Sequence, residues 1–496
     1  MVLIRDAQLI DGTGKPARQA DVLIRGDRIS AIGKFPRQQA DNIVVATGSI
    51  LVPGFIDVNT DSDHYLTLFT EPAQGSFLLG GVTTTIGGNC GSSLAPLLYG
   101  SLESIREWTD VNRVNVGWQR VKEFLRVLEK QGIGVNFGTL VGHSTIRRAI
   151  LGNTMRDLTD REREVCTRTL RDALEDGALG LSTGLGYVHA HATPFYEIRE
   201  LLRVVADYHG IYTTHLRNEE EDLQSSVHEA LRLITESHVS GLISHLRPLI
   251  GFEWEFGKAI RLIEAAGETT DVHFDGYPHT SSFVPIYTLL PRWIRTGGIE
   301  TMRDHLKRPG IQQQILRELP KFNDDDIVVV EAHNIPEMNG KTIGAIAKNR
   351  NVPIREALIK VMLTTGLQAT VLNRNVNEDL AMQSLLSPRA LVASNAPAVP
   401  DTSWFRHERF HGTFMKFISF VRDAQLMSLE KAIQKVTSIP AKKYRLHDRG
   451  EIKEGKFADA VLIKDDKITD VFVNGVQTVR FGKLLGARAG RVLRRT

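Results

Sequence analysis

The stretch LTDREREVCTRTLRDALEDGALGLSTGL, residues 158–185, decides the fold. Thr159 and Glu162 stand at capping-box spacing, and apolar residues then recur at helical period until Gly177. A short apolar strand, ALGLSTGL, follows at once. Cys166 lies on the helix and reads as a buried thiol.

The same alternation extends in both directions. Seven more short apolar runs are FIDVN from Phe55, VTTTIGGNC from Val82, GVNFGTLVGH from Gly134, IYTTHLR from Ile211, GLISHL from Gly241, TDVHFDGYP from Thr270 and ALVASNAP from Ala390. Amphipathic helical stretches separate most of them. Eight strands alternating with helices predict a parallel α/β fold closed into a (β/α)8 TIM barrel, residues 53–439. Too much chain lies between the seventh and eighth strands, so residues 284–350 read as an inserted subdomain on the catalytic face. A long insertion there is either a lid or a separate module. The two ends, VLIRDAQLIDGTG and GKFADAVLIKDDKITDVFVNGVQTVRFGKLL, both have hairpin grammar. Residues 1–52 and 440–496 are therefore expected to pair into one small β-sandwich.

The chain has 496 residues, a formal charge of +3 and an ordinary globular composition. Its two cysteines, Cys90 and Cys166, fall in different elements, so no disulfide framework is expected and a reducing compartment fits. The start, MVLIRDAQLIDG, lacks the pattern of a signal peptide, and no apolar run reaches the roughly 18 residues of a membrane span. These features predict a cytoplasmic protein with no membrane partner. The basic end, GARAGRVLRR, reads as a packed strand or a solvated tail. Without interleaved aromatics elsewhere it does not indicate nucleic acid.

In a barrel the C-terminal strand ends face the active site. Those ends carry Asn59 and Asp61, Cys90, His143, His215, His245, the trio His273, Asp275 and Tyr277, and Asn395. Cys90, His215 and His245 offer one thiolate and two imidazoles, a zinc set that leaves a fourth position open. A hydrogen-bonded core histidine is the plainer reading of either His alone; three such residues at three strand ends point to a metal. His189 and His191, in YVHAHATPF, form a His-x-His pair whose side chains share a side if the segment is extended. They and Asn59 are candidate extra ligands, with a solvated loop pair as the plainer reading of the histidines. His64, His273 and His279 are weaker candidates. Glu219 to Glu221 read as the solvated start of a helix. The glycines of TIGGNCG do not form a dinucleotide fingerprint.

LVPGFID, GVTTTIGGNCGSSLAP, LVGHSTIR, DGALGLSTGLGY, YTTHLRNE, LISHLRP, DGYPHT, LLPRW, ERFHGTF, LEKAIQKVTSIPAKK and DRGEIKEGKFADAVL carry a family likeness. Over nearly its full length the chain resembles the N-acyl-D-amino-acid deacylases (D-aminoacylases) of the amidohydrolase superfamily. The resemblance implies a barrel with a small β-sandwich built from both ends. It implies hydrolysis of the linear amide of a small N-acyl-D-amino acid, releasing a carboxylate and a free amino acid. It implies one tightly bound Zn²⁺ on the residues matching Cys90, His215 and His245. The substrate carboxylate would be held by Tyr187, Arg247 and Arg409; the family usually has Lys at position 247, and Arg retains the charge and adds a planar fork. His143 and Ser182–Thr183 match family signatures and read as structural support.

Two departures lie at the centre of that chemistry. The family's strand 1 His-x-His, which serves a second, weaker metal position, is here Asn59-Thr60-Asp61, so the second position is expected to be lost. The family's strand 8 Asp, its general base, is here Asn395, and an amide cannot take that proton. Two expectations follow. Either the catalytic carboxylate has moved to Asp61, as base or as zinc ligand, or the chain is a zinc-binding, catalytically degenerate relative with a binding or regulatory role.

Overall fold

The computed structural model describes residues 1–495 apart from positions 101, 107, 153, 296, 333 and 401–406. Eight barrel strands follow one another in chain order: β1 (Phe55–Asp57), β2 (Val82–Gly87), β3 (Asn136–Thr139, resumed at Val141–Gly142), β4 (Gly180–Gly184), β5 (Ile211–His215), β6 (Ser240–Ile243), β7 (Val272–Gly276) and β8 (Ala390–Val392). Neighbours pair in parallel, for example Asp57 with Thr85, Thr84 with Asn136, Gly184 with His215 and Phe274 with Ala390. β2, β4 and β5 are buried along their whole length, as strands covered on both faces must be.

The seam between β8 and β1 closes the barrel. Thr60 bridges Ala396, the Asn395 amide donates to the Asn59 carbonyl at 2.9 Å, and the Asp61 amide donates to the Ala396 carbonyl at 3.0 Å. The Ser394 amide also donates to the Asp57 carboxylate, 3.1 and 3.2 Å from its two oxygens. Asp61 and Asn395 therefore stand side by side just beyond the ends of adjacent strands.

The barrel interior is filled from below. Ile56, Val58, Ile86, Leu140, Leu179, Ile211, Leu242 and Leu391 form one cluster with Ala441, Tyr444 and Leu446. The helix Ser438–Lys443 and the turn after it thus plug the barrel floor. The expected domain boundary at residue 440 falls inside this plug, so the terminal sheet takes up the chain later, at Ala460.

That sheet has nine strands, five from the first 53 residues and four from the last 40. Its join is the antiparallel pairing of Ala460–Lys464 with Ile50–Pro53. Val22 and Ile24 share a core with Phe472 although several strands separate them, so the sheet folds over on itself. The basic end is packed along β3. Gly490 bridges Ile133, Val492 bridges Phe137, and Arg494 lies 2.6 Å from Glu129.

The insertion is longer than expected. Ser281–Pro285, Ile327–Ala332 and Ala369–Arg374 form an antiparallel sheet with Ala369–Arg374 at its centre. The expected end at residue 350 thus becomes an end near Arg374, because the central strand comes last. With the helices Gly298–Leu306, Pro309–Glu318, Ile343–Arg350 and Ile354–Thr364 this sheet encloses its own core around Ile286, Leu306, Val329 and Leu358.

The helix that opened the reading spans Asp160–Glu175. Thr159 Oγ1 accepts from the Glu162 amide at 3.4 Å, and Glu162 accepts from the Thr159 amide at 2.8 Å. Thr159→Ala is expected to cost about 1 kcal/mol, read as a lower denaturation midpoint with unchanged turnover. Cys166 is buried on this helix. Among the described residues, no helix is long and apolar enough to cross a membrane.

Candidate metal centre

Cys90, His215 and His245 converge above the barrel mouth. Cys90 follows β2, His215 is the last residue of β5, and His245 follows β6. Cys90, His245 and Asn395 all hold left-handed backbone, with φ of 53°, 36° and 48°. Such conformations are costly away from glycine and cluster at functional sites. Gly186 lies so close to His215 that a Cβ there would overlap the imidazole Nε2.

Cys90 Sγ is 3.4 Å from His245 Nε2, and His245 Nε2 is 2.8 Å from His215 Nδ1. The three ligand atoms lie within 4.8 Å of one another. A tetrahedral zinc with usual bond lengths separates such atoms by about 3.3–3.6 Å. The Cys90–His245 spacing matches that range, the two imidazole nitrogens stand about half an ångström closer than it, and the donor chemistry suits zinc. Among the described residues it is the one group of three such side chains placed to hold a metal ion.

Electrostatics point the same way. Burial pushes His215 down to about 3, which keeps the imidazole neutral and its lone pair available. Burial, with the Asp61, Asp275 and Glu219 charges, pushes the Cys90 thiol well up. A bound cation reverses that last balance, because a coordinating thiol is deprotonated.

Asp61 and Asn395 line the same small chamber as the three donors, with His64, Tyr187 and Arg247. Asp61 Oδ1 is 3.2 Å from His64 Nδ1, and the other ring nitrogen of His64 is 3.0 Å from the Ser92 carbonyl. His64 stacks on Trp108 at 4.8 Å. Burial opposes its charge, but Asp63 and Asp61 prevail and raise it to about 9. The two carboxylates thus favour a charged His64 beside Asp61, a contact that sequence spacing only hinted at.

The proposed carboxylate-binding residues stand beside this chamber. Tyr187 packs on His215 with ring centres 4.5 Å apart. Arg409 lies 4.1 Å over the Tyr277 ring, and Arg247 Nη1 is 3.5 Å from the Tyr277 hydroxyl. Burial resists ionisation of Tyr277, yet the two guanidiniums hold it below its ordinary value. Arg409 also donates to the Asn395 carbonyl at 3.3 Å and to the Ser281 carbonyl. The Nε of each arginine is buried and has no hydrogen-bond partner. A cavity of about 690 Å³ opens outward from Tyr187, His215 and Arg247, walled on its far side by Val284, Leu289, Arg295, Asn373 and Asn375 of the insertion.

Several expected residues do not join the centre. His189 and His191 sit in consecutive turns, where the Ala190 and His191 amides both donate to the Tyr187 carbonyl, so the alternation of an extended segment does not apply. His191 Nδ1 faces the Leu185 carbonyl at 3.2 Å, and His189 is buried elsewhere. The Asn59 amide group donates to Asp275 at 3.3 Å. Asp275, pushed up to about 6 by burial, also accepts from the His245 amide at 2.8 Å. His143 is bound to Glu197 at 2.8 Å, a structural role. His273 lies 3.7 Å from Asp271, and His279 is held by Glu408 and Thr413.

Glu219 departs most from expectation. It is not part of a solvated helix start: its side chain is only 13 % exposed and lies 2.6 Å from Arg247 and 3.3 Å from His245. Its place four residues after His215 was the available signal.

This arrangement has counterparts among known proteins. The N-acyl-D-aspartate deacylase of Alcaligenes xylosoxydans xylosoxydans is 30% identical, over 99% of this chain and 94% of that protein. The chain belongs to the N-acyl-D-amino-acid deacylase family. It is a metal-dependent amidohydrolase acting on amide carbon–nitrogen bonds. A family model described as the Amidohydrolase family matches residues 392–483. The structure of an N-acyl-D-glutamate deacylase from Bordetella bronchiseptica, complexed with zinc and a phosphonate mimic of the tetrahedral intermediate, superposes with a TM-score of 0.82 at 26% identity, covering 99% of both chains. A D-aminoacylase with a binuclear metal centre, described by one-metal activation and second-metal attenuation, superposes with a TM-score of 0.82 at 27% identity, covering 100% of this chain and 99% of that one.

Proposed function

We propose that this protein hydrolyses N-acyl-D-amino acids with one zinc ion on Cys90, His215 and His245, and with Asp61 as general base. The observation that carries the reading is the position of Asp61. It shares the chamber of the three donors and follows the strand next to the one that leads to Asn395, which supports a catalytic carboxylate moved by one strand across the closing seam. When bound, zinc supplies Lewis acidity toward the amide carbonyl and makes water easier to deprotonate.

The chain's own residues do the rest. Asp61 takes a proton from the attacking water and delivers it to the leaving nitrogen as the C–N bond breaks. His64 holds Asp61 in place. Arg247 and Arg409, whose Nε–H groups have no partner, bind the substrate carboxylate with Tyr187. Asn59 is turned toward Asp275 and leaves the second metal position without its ligand. The one-metal activation described for the related D-aminoacylase supports a single ion being enough.

The test is metal analysis of the purified protein beside turnover of a panel of N-acyl-D- and N-acyl-L-amino acids. The reading expects one zinc per chain and hydrolysis of D-substrates. Zinc content of one with no turnover anywhere in the panel would contradict it and favour a degenerate relative. Arg247→Lys keeps the charge but loses the fork; it is expected to raise KM about tenfold with kcat little changed, measured by initial rates on the best substrate.

A further inference from the structure

We propose that Glu219 is a positioning residue that braces both metal-binding imidazoles from behind. This inference rests on the zinc assignment above and adds a residue that touches neither metal nor substrate.

The ring nitrogens tell the two sides of the centre apart. His245 turns Nε2 toward Cys90 and His215, and its Nδ1 lies 3.3 Å from Glu219 Oε1. His215 turns Nδ1 inward, and its Nε2 lies 3.7 Å from Glu219 Oε2. One carboxylate thus meets the outer nitrogen of each ring. A ligating imidazole must give up one lone pair to the metal and carry its proton on the other nitrogen; an acceptor behind the ring fixes that tautomer and raises the basicity of the ligating nitrogen. Here a single side chain stands behind both rings: it is nearest His245 Nδ1, a buried nitrogen with no hydrogen-bond partner, and it lies beyond hydrogen-bond distance of His215 Nε2.

Arg247 holds the brace in position, 2.6 Å from Oε2. A simple ion pair with Arg247 would leave Oε1 free to face solvent. Instead Oε1 is turned inward to His245, and the side chain is largely buried.

The test is zinc affinity, measured by competition with a chromogenic chelator on wild type and Glu219→Gln. The isosteric amide keeps the packing and loses the charge. Glu219→Gln is expected to bind zinc about 10–100-fold more weakly, while the metal-free variant still folds but with a lower melting temperature, because Arg247 loses its buried partner. Glu219→Asp, one methylene shorter, serves as a second variant and is expected to fall between the two. Wild-type affinity in Glu219→Gln, while wild type binds one zinc, would overturn the brace and leave the zinc assignment standing. A wild type that binds no zinc, or whose zinc binding is unchanged in Cys90→Ala, would overturn the assignment itself and the brace with it.

Discussion

Cys90→Ala is expected to lower kcat at least about 10³-fold and to remove the bound zinc. Zinc in such a site contributes several kcal/mol of charge stabilisation in the transition state, and each 1.36 kcal/mol is tenfold in rate. The buried cluster offers no second thiolate: His189 and His191 lie in turns elsewhere, and Asn59 is engaged with Asp275. Two imidazoles without the thiolate hold a dication far less tightly than the full set of three donors. The check is turnover with zinc per chain measured on the same sample. Chelation of the wild type should give the same loss, and added zinc should restore the wild type but not Cys90→Ala. Full activity in the chelated wild type would contradict the metal assignment.

Asp61→Asn is the second large effect. It is expected to lower kcat about 10²–10⁴-fold, the contribution of general acid–base catalysis, while zinc stays bound. Asn is close in size and keeps the Asp61 backbone bond to Ala396, so the seam should survive. His64 makes the substitution sharper. It lies 3.2 Å from the Asp61 carboxylate, whose charge helps to raise it, so in the variant it faces an amide that no longer favours its charge. Restoring a carboxylate one strand away, in Asp61→Asn/Asn395→Asp, should recover part of the loss, because both side chains open on one chamber.

Much of this was legible in the sequence for a physical reason. Each of Cys90, His215 and His245 closes or follows a short, largely buried strand, and in a parallel barrel the ends of such strands meet on one face. What was not legible depends on contacts distant in sequence. Glu219 opens a run of three acidic residues, which reads as solvated; it is covered because Arg247, from the next strand end, turns back onto it. The strand Ala369–Arg374 is not among the eight runs read from the sequence, and its antiparallel partners assign it to the insertion. The nearness of Asp61 to Asn395 exists only once the barrel closes through Thr60 and Ala396. The segment from Ser438 to Leu446 shows helical spacing but no sign that it plugs the barrel.

The relocated carboxylate is the central claim, and kcat of Asp61→Asn, with zinc per chain determined on the same preparation, tests it most directly. The predicted result is one zinc per chain and a kcat lower by about 10²–10⁴-fold. Wild-type kcat with one zinc per chain would contradict it.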